Sequence, residues 1–432
     1  MRRRKRIVAL DFPDLDEPMP IYVKLDAPEI SIWFREAEGY TFDGSGRPYA
    51  GFCQHRRYRR ALDGRLIETA WGEGPPRQRP RLIRVHYRRE AMQMLSLWRD
   101  RLAPLLSHVK QGKVHIHGLH TSDPTPTTLN EVEALLTKVL AWNEARLNDD
   151  IAHYHHVYQP VSILPPDQYV ALYIQLTTGC SYNRCLFCEF YRDRRYHVRT
   201  KEEFFQHLAA VEAYFGPALA MRKRIFLGDA NALHMDERSL RERFAALHLR
   251  FSIGQNDKTP SKPQFDGIYS FIDSFTGVRL SVTLLQHLSK TALRRVYIGF
   301  ETGHEPLRRY LQKPGHTSQV ITTVRNLKQA GISVGVILLN GIGGPDMVEK
   351  HVGDSVSALE AMDLEPQDII FLSDLVVSSD SEYAQVASET GWEIRGAEAL
   401  LRQRLAFIDA IRQTKSASCA KIAHYDVREF VY

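Results

Sequence analysis

A change of rhythm at Tyr169 constrains the fold most. From there short apolar runs, Tyr169 to Leu176, Arg224 to Leu227, Gly267 to Ile272, Arg295 to Phe300, Ser333 to Leu339 and Asp368 to Leu372, alternate with stretches whose apolar residues recur at helical spacing. Those stretches are Lys201 to Tyr214, Asp236 to Leu247, Val282 to Ser289, Glu305 to Leu311, Thr317 to Ala330 and Met347 to Ala361. A strand buried on both faces needs helices to cover it, so such alternation predicts parallel strands side by side with helices outside. Six units predict an α/β fold, a partial (β/α)6 TIM-like barrel over residues 166–395, whose chemistry sits on loops at the carboxyl ends of the strands. Behind it, 396–432 reads as a helix, Gly396 to Gln413, then a closing strand or tail from Lys421 to Tyr432.

Residues 1–165 read as a separate N-terminal α+β domain. Ile32 to Trp71 mixes aromatic and β-branched residues with turn signals at Asp43-Gly44 and Asp63-Gly64, which predicts antiparallel strands. Arg89 to Val109 and Leu129 to Leu147 have helical spacing, and Gln159 to Asp167, with three prolines, reads as a linker. Of the net charge of +6, the 25 Lys/Arg against 20 Asp/Glu up to Pro165 supply all but one. Arg56 to Arg89 holds eleven arginines against Asp63, Glu68 and Glu73, enough to attract an anion, although a solvated arginine-rich hairpin has the same composition.

The longest apolar stretch, around Ile332 to Leu339, is far below the roughly 18 residues that span a bilayer. The basic start, Met1 to Arg6, is followed only by Ile7 to Leu10 before Asp11, so the apolar core of a secretory signal is missing and a cytoplasmic location is expected. Three of the five cysteines fall within nine residues, which indicates a metal site in reducing surroundings; Cys53 and Cys419 stand alone.

That trio lies in Leu176-Thr177-Thr178-Gly179-Cys180-Ser181-Tyr182-Asn183-Arg184-Cys185-Leu186-Phe187-Cys188, directly after the first barrel strand. Thiolates suit iron-sulfur clusters, and three protein ligands leave one iron of a four-iron cluster open to a small molecule. The alternative is a zinc site completed by Cys53, Cys419 or His197.

The loop resembles that of the radical S-adenosylmethionine (SAM) superfamily, in the C-x4-C-x2-C variant of the commoner C-x3-C-x2-C spacing. The resemblance covers about Leu164 to Tyr383. It implies a [4Fe-4S] cluster on Cys180, Cys185 and Cys188, with S-adenosyl-L-methionine as the second cofactor. By the same resemblance Phe187 packs beside cluster and adenine, and Gly228, Asp229 and Ala230 stand where the family receives the methionyl amino group. Ser270 and Asp273 end the third strand over the same mouth; an N-cap is the other reading of Asp273. In Gly299-Phe300-Glu301-Thr302-Gly303 the Glu301 position contacts the ribose or methionyl group, and Lys313 reaches its carboxylate. Asn340 and Gly341 open a glycine-rich turn that lets backbone approach the adenine, where Leu375 and Val376 add apolar contacts.

The resemblance thus implies an enzyme that cleaves SAM reductively to a 5'-deoxyadenosyl radical, served by a flavodoxin or ferredoxin donor. The substrate is a small anionic metabolite or an RNA, with the basic front domain covering the mouth. The rival is a non-catalytic metal-binding or nucleic-acid-binding module with structural zinc. His115 and His117, and His153, His155 and His156, read as scattered polar histidines rather than a second metal site.

Overall fold

The computed structural model describes residues 7–15, 20–25, 28–35, 37–73, 81–118, 126–255 and 262–432. The chain divides into two compact units, residues 1–160 with 209–222 and 431–432, and residues 161–208 with 223–430.

The first unit is built on nine strands: β1 (Ile7–Asp11), β2 (Ile21–Lys24), β3 (Glu29–Arg35), β4 (Glu38–Asp43), β5 (Pro48–Cys53), β6 (Arg56–Arg60), β7 (Leu66–Trp71), β8 (Arg81–His86) and β9 (His115–Gly118). They pair antiparallel in the order β8-β7-β6-β5-β4-β3-β2-β1-β9, a meander except that β9 returns to the far edge beside β1. Strand alternation sends Ile21, Val23, Ile32, Phe34, Tyr40 and Phe42 to one face, where they form a core with Leu95, Trp98 and Leu102 of helix α1 (Arg88–Lys110). The segment expected as one helix from Leu129 to Leu147 is two, α2 (Pro126–Leu140) and α3 (Glu144–Val157). Asn143 ends the first stretch by capping the second, its side chain accepting from the Arg146 amide at 3.0 Å.

The second unit carries the β/α alternation. In chain order its elements are β10 (Leu172–Gln175), the short pair β11 (Thr177–Thr178) and β12 (His197–Val198), α4 (Lys201–Phe215), β13 (Ile225–Gly228), α5 (Glu237–Arg250), the pair β14 (Ser252–Ile253) and β15 (Gln264–Phe265), and β16 (Ile268–Ile272). There follow α6 (Ser274–Gly277), α7 (Val282–Lys290), β17 (Leu293–Glu301), α8 (Glu305–Tyr310), α9 (Thr317–Gln329), β18 (Ser333–Asn340), α10 (Val348–Glu360), β19 (Ile369–Asp374), α11 (Glu382–Glu389), α12 (Ala397–Arg412) and β20 (Lys421–Tyr425). β10, β13, β16, β17, β18, β19 and β20 form one parallel sheet in that order. The closing strand expected after Lys421 is therefore a seventh parallel strand beyond the six anticipated. Sequential order with right-handed crossovers curls such a sheet into an open barrel and brings every carboxyl end to one rim.

Candidate functional site

A cavity of about 200 Å³ opens at that rim. Cys180, Cys185 and Cys188 line it together with Phe187, Ala230, Asn231, Asp273, Glu301, Lys313, Asp374 and Leu375. The cysteine loop is held at several points. The Gly179 amide donates to Asp229 Oδ2 at 2.7 Å, Asn183 Nδ2 donates to the Tyr191 carbonyl at 2.9 Å, and the Leu186 amide donates to the Leu311 carbonyl at 3.0 Å. The Arg192 guanidinium donates to the carbonyls of Cys188 and Cys185 at 3.2 and 3.3 Å. Gly179 has φ +74°, and a Cβ there would lie 2.9 Å from the Arg195 carbonyl oxygen, so only glycine suits the entry to the loop.

The chemistry of the donors fits a cluster. Three thiols share one cavity. A lone zinc would draw its sulfurs to about 2.3 Å of one centre, whereas a four-iron cluster gives each thiolate its own iron. Cys419 and His197, the candidates for a fourth ligand in this unit, do not line the cavity, and His197 instead meets Glu203 at 2.8 Å. Cys53 belongs to β5 of the first unit. Burial pushes the Cys185 thiol up and the Cys188 thiol up to about 12, costs that metal coordination reverses by deprotonating the ligand.

A buried ion pair lines the same cavity. Lys313 Nζ donates to Glu301 Oε1 at 2.9 Å. Burial alone would lower the Lys313 ammonium, but the negative charges of Glu301 and Cys185 outweigh it and hold it raised. Glu301 follows a register shift at the end of β17 and sits at φ +61°, unusual for a residue with a side chain, which marks a backbone held by its surroundings. A Cβ on Gly299 would lie 2.5 Å from Glu301 Oε1 and 3.0 Å from Lys313 Nζ, so the pair occupies the space that glycine leaves. The loop carrying Lys313 hangs on Arg308, a fully buried guanidinium that donates to the carbonyls of Phe300, Gly315 and Pro314 at 2.9, 2.9 and 3.1 Å.

Residues 174–359 match the profile of the Radical SAM superfamily. The second unit carries a radical SAM domain. This places it in a superfamily of enzymes whose cofactors are a [4Fe-4S] cluster and S-adenosylmethionine. No curated protein sequence matches the chain. Among solved structures, the radical SAM methyltransferase TsrM from Kitasatospora setae aligns with 18% identity over 54% of this chain and 41% of its own, TM-score 0.38. Coproporphyrinogen III oxidase (HemN) from Escherichia coli aligns with 13% identity over 62% of this chain and 56% of its own, TM-score 0.39. Methylornithine synthase (PylB) aligns with 14% identity over 76% and 81%, TM-score 0.37. The aligned part of this chain thus spans less than two thirds of the TsrM and HemN chains.

Of the residues expected to hold SAM in the radical SAM domain, Phe187, Ala230, Glu301, Lys313, Leu375 and Val376 line the cavity. Gly228, Asp229, Ser270, Asn340 and Gly341 are not among the residues that line it. Asp229 is buried under the cysteine loop, accepting from Tyr173 Oη and the Gly179 amide, while its own amide donates to Thr177 Oγ1 at 3.0 Å. Burial leaves its carboxyl raised despite those hydrogen bonds. A side chain on Gly228 would run into the Tyr173 ring. The Ser270 hydroxyl donates to the Leu227 carbonyl at 3.0 Å; Asn340 Nδ2 donates to Asp374 Oδ1 at 2.7 Å; the Gly341 amide is taken by Gln403 Oε1 at 3.0 Å. These hydrogen bonds fix the strand ends around the cavity.

Asp273 has both of its expected roles, capping α6 by accepting from the Thr276 amide at 2.6 Å and lining the cavity beside Asn231. Lys313 is the single cationic side chain among the lining residues, against Glu301, Asp273 and Asp374. Residue-by-residue reading missed Asn231, Tyr173, Arg192 and Arg308, which serve through tertiary hydrogen bonds that sequence spacing does not show.

Proposed function

We propose that this chain is a radical SAM enzyme in which Cys180, Cys185 and Cys188 hold the cluster and the Glu301–Lys313 pair faces the bound SAM. When bound, the reduced cluster and SAM supply one-electron cleavage of the cofactor to methionine and a 5'-deoxyadenosyl radical, which takes hydrogen from the substrate. The observation that carries the reading is the single cavity shared by three thiols and a buried Glu–Lys pair. Lys313 suits a carboxylate and Glu301 suits hydroxyls or an ammonium, so the two halves of an amino-acid cofactor find opposite partners on one strand end. The apolar wall of Phe187, Leu339 and Leu375 excludes water from the reacting centre.

Gly228, Asp229, Ser270, Asn340 and Gly341 support this site by fixing the loops that carry the lining residues. The domain division proposed here keeps the barrel at residues 166–395, with 396–432 completing it and 1–165 a separate basic domain that acts on the substrate. A flavodoxin or ferredoxin serves as electron donor. The substrate is an anion, a small metabolite or an RNA, a reading supported by the basic composition of residues 1–165. A cytoplasmic setting suits a cluster that must be kept reduced; no helix among the described residues is long and apolar enough to cross a membrane.

The test is anaerobic incubation of the reconstituted protein with SAM and dithionite, followed by mass spectrometry. Reductant-dependent 5'-deoxyadenosine and methionine support the reading. A fully iron-loaded protein that forms neither, with or without cell extract as substrate source, overturns it.

A further inference from the structure

The arginine-rich front, which the cavity does not use, turns an ordered row of side chains away from the core of the first unit. Strand register aligns Tyr22 with Trp33, Trp33 with Gly39, Gly39 with Phe52, Phe52 with Arg57 and Arg57 with Thr69, one residue from each of β2 to β7. Neighbouring strands lie about 4.8 Å apart, so Tyr22 to Arg57 spans roughly 19 Å across the sheet. The core helices pack on the opposite face, where Trp98 of α1 meets Tyr40 and Tyr58 at ring distances of 5.1 and 6.3 Å. Tyr22, Trp33 and Phe52 are half-buried and Arg57 is exposed.

Gly39 gives the row its shape. A Cβ there would collide with the Trp33 ring, so the indole lies over β4 in the space that glycine leaves. The next row on the same face, Thr41, Ala50 and Arg59, adds a second guanidinium, and at the sheet edge the Arg81 guanidinium stacks 5.2 Å over Trp71, which is 59% exposed. Register also sorts the arginines of the front. Arg56 is tied to Glu68, Arg60 is buried on Asp150 at 2.8 Å, Arg84 meets Glu90 at 3.6 Å and Arg88 meets Asn148 at 2.6 Å. Those on the aromatic face are Arg57, which is exposed, Arg81, which stacks on Trp71, and Arg59, which donates to the Val431 carbonyl at 3.2 Å.

We propose that this face of the first unit binds single-stranded nucleic acid, bases stacking on Trp33, Phe52 and Tyr22 while Arg57 and Arg81 meet the phosphates. Flat aromatic rings accept any unpaired base and guanidinium groups follow the backbone, a combination that a duplex, with its bases stacked internally, cannot use. The surface stands independently of the SAM chemistry, so it is tested without SAM.

The experiment is fluorescence anisotropy of labelled 15-mers of dT and U with the cluster-loaded protein at 50–300 mM salt. Single-stranded binding is expected, weakened at least tenfold by W33A/F52A and restored by W33F/F52Y, which keeps the rings. R57Q/R81Q should make the slope of log affinity against log salt shallower by about 0.7 per arginine. Tighter dT than U points to DNA and the reverse to RNA. The proposal is overturned if neither strand binds at 50 mM salt, if W33A/F52A binds like wild type, or if a 15-base-pair duplex binds as tightly as the single strands. Iron content and SAM cleavage, read on the same variants, should be unchanged; their failure in wild type would strike the enzyme reading alone.

Discussion

Removing Lys313 alone should hurt the protein more than removing the whole Glu301–Lys313 pair. The two charges meet at 2.9 Å with side chains 13% and 8% exposed. At an effective dielectric of about 20 their attraction is on the order of 6 kcal/mol, most of which offsets the cost of taking both from water. Lys313→Met leaves the Glu301 carboxylate buried without its cation, which should cost about 3–5 kcal/mol. For a unit of this size that is a melting temperature lower by roughly 6–20 °C. The double variant E301Q/K313M leaves no charge behind and should recover most of that loss. SAM binding should behave oppositely, falling about tenfold or more in the single variants and not returning in the double, since it needs the charges rather than their mutual neutrality. Calorimetry on the apo proteins and titration of SAM into the reconstituted ones read the two effects separately. If Lys313→Met is as stable as the double variant, or if the double variant binds SAM like wild type, the pair has been misread.

Three further outcomes follow from the second unit. His351 is buried, its Nε2 facing the Leu339 carbonyl at 3.1 Å, and burial depresses its pKa to about 4 from 6.5. The unfolded chain then binds a proton between those values that the folded one does not, so stability is full above about pH 6.5 and falls by about 3 kcal/mol as pH drops to 4; urea unfolding across that window should lose this component in His351→Asn. Gly299→Ala should displace the ion pair whose atoms lie 2.5 and 3.0 Å from the added methyl, lowering SAM affinity at unchanged iron content, measured by titration and iron assay. Asp229→Asn should loosen the Gly179 anchor and lower iron retention during gel filtration without removing any cavity-lining group.

The parallel sheet was legible because its strands are buried on both faces, as in the uninterrupted apolar run of β18. β1 and β2 were missed because each is only four or five residues long, too short for a period to show, and β1 takes one of its neighbours, β9, from about a hundred residues away. In the site, residues adjoining a motif were readable, namely the three cysteines, Phe187, Glu301 and Lys313. Asp229 was not, because whether a strand-end side chain faces cavity or loop depends on Tyr173 and Gly179, about fifty positions away. Arg308 was hidden in the same way, its acceptors chosen by the path of the chain rather than by a local pattern.

The most direct test of the account is iron content and visible absorbance of anaerobically reconstituted wild type beside Cys180→Ala, Cys185→Ala, Cys188→Ala and Cys53→Ala. The account predicts a brown wild type with about four irons per chain that bleaches with dithionite, the same in Cys53→Ala, and loss of most iron in each of the other three. Full iron in Cys185→Ala, or a colourless protein carrying one zinc, would contradict it.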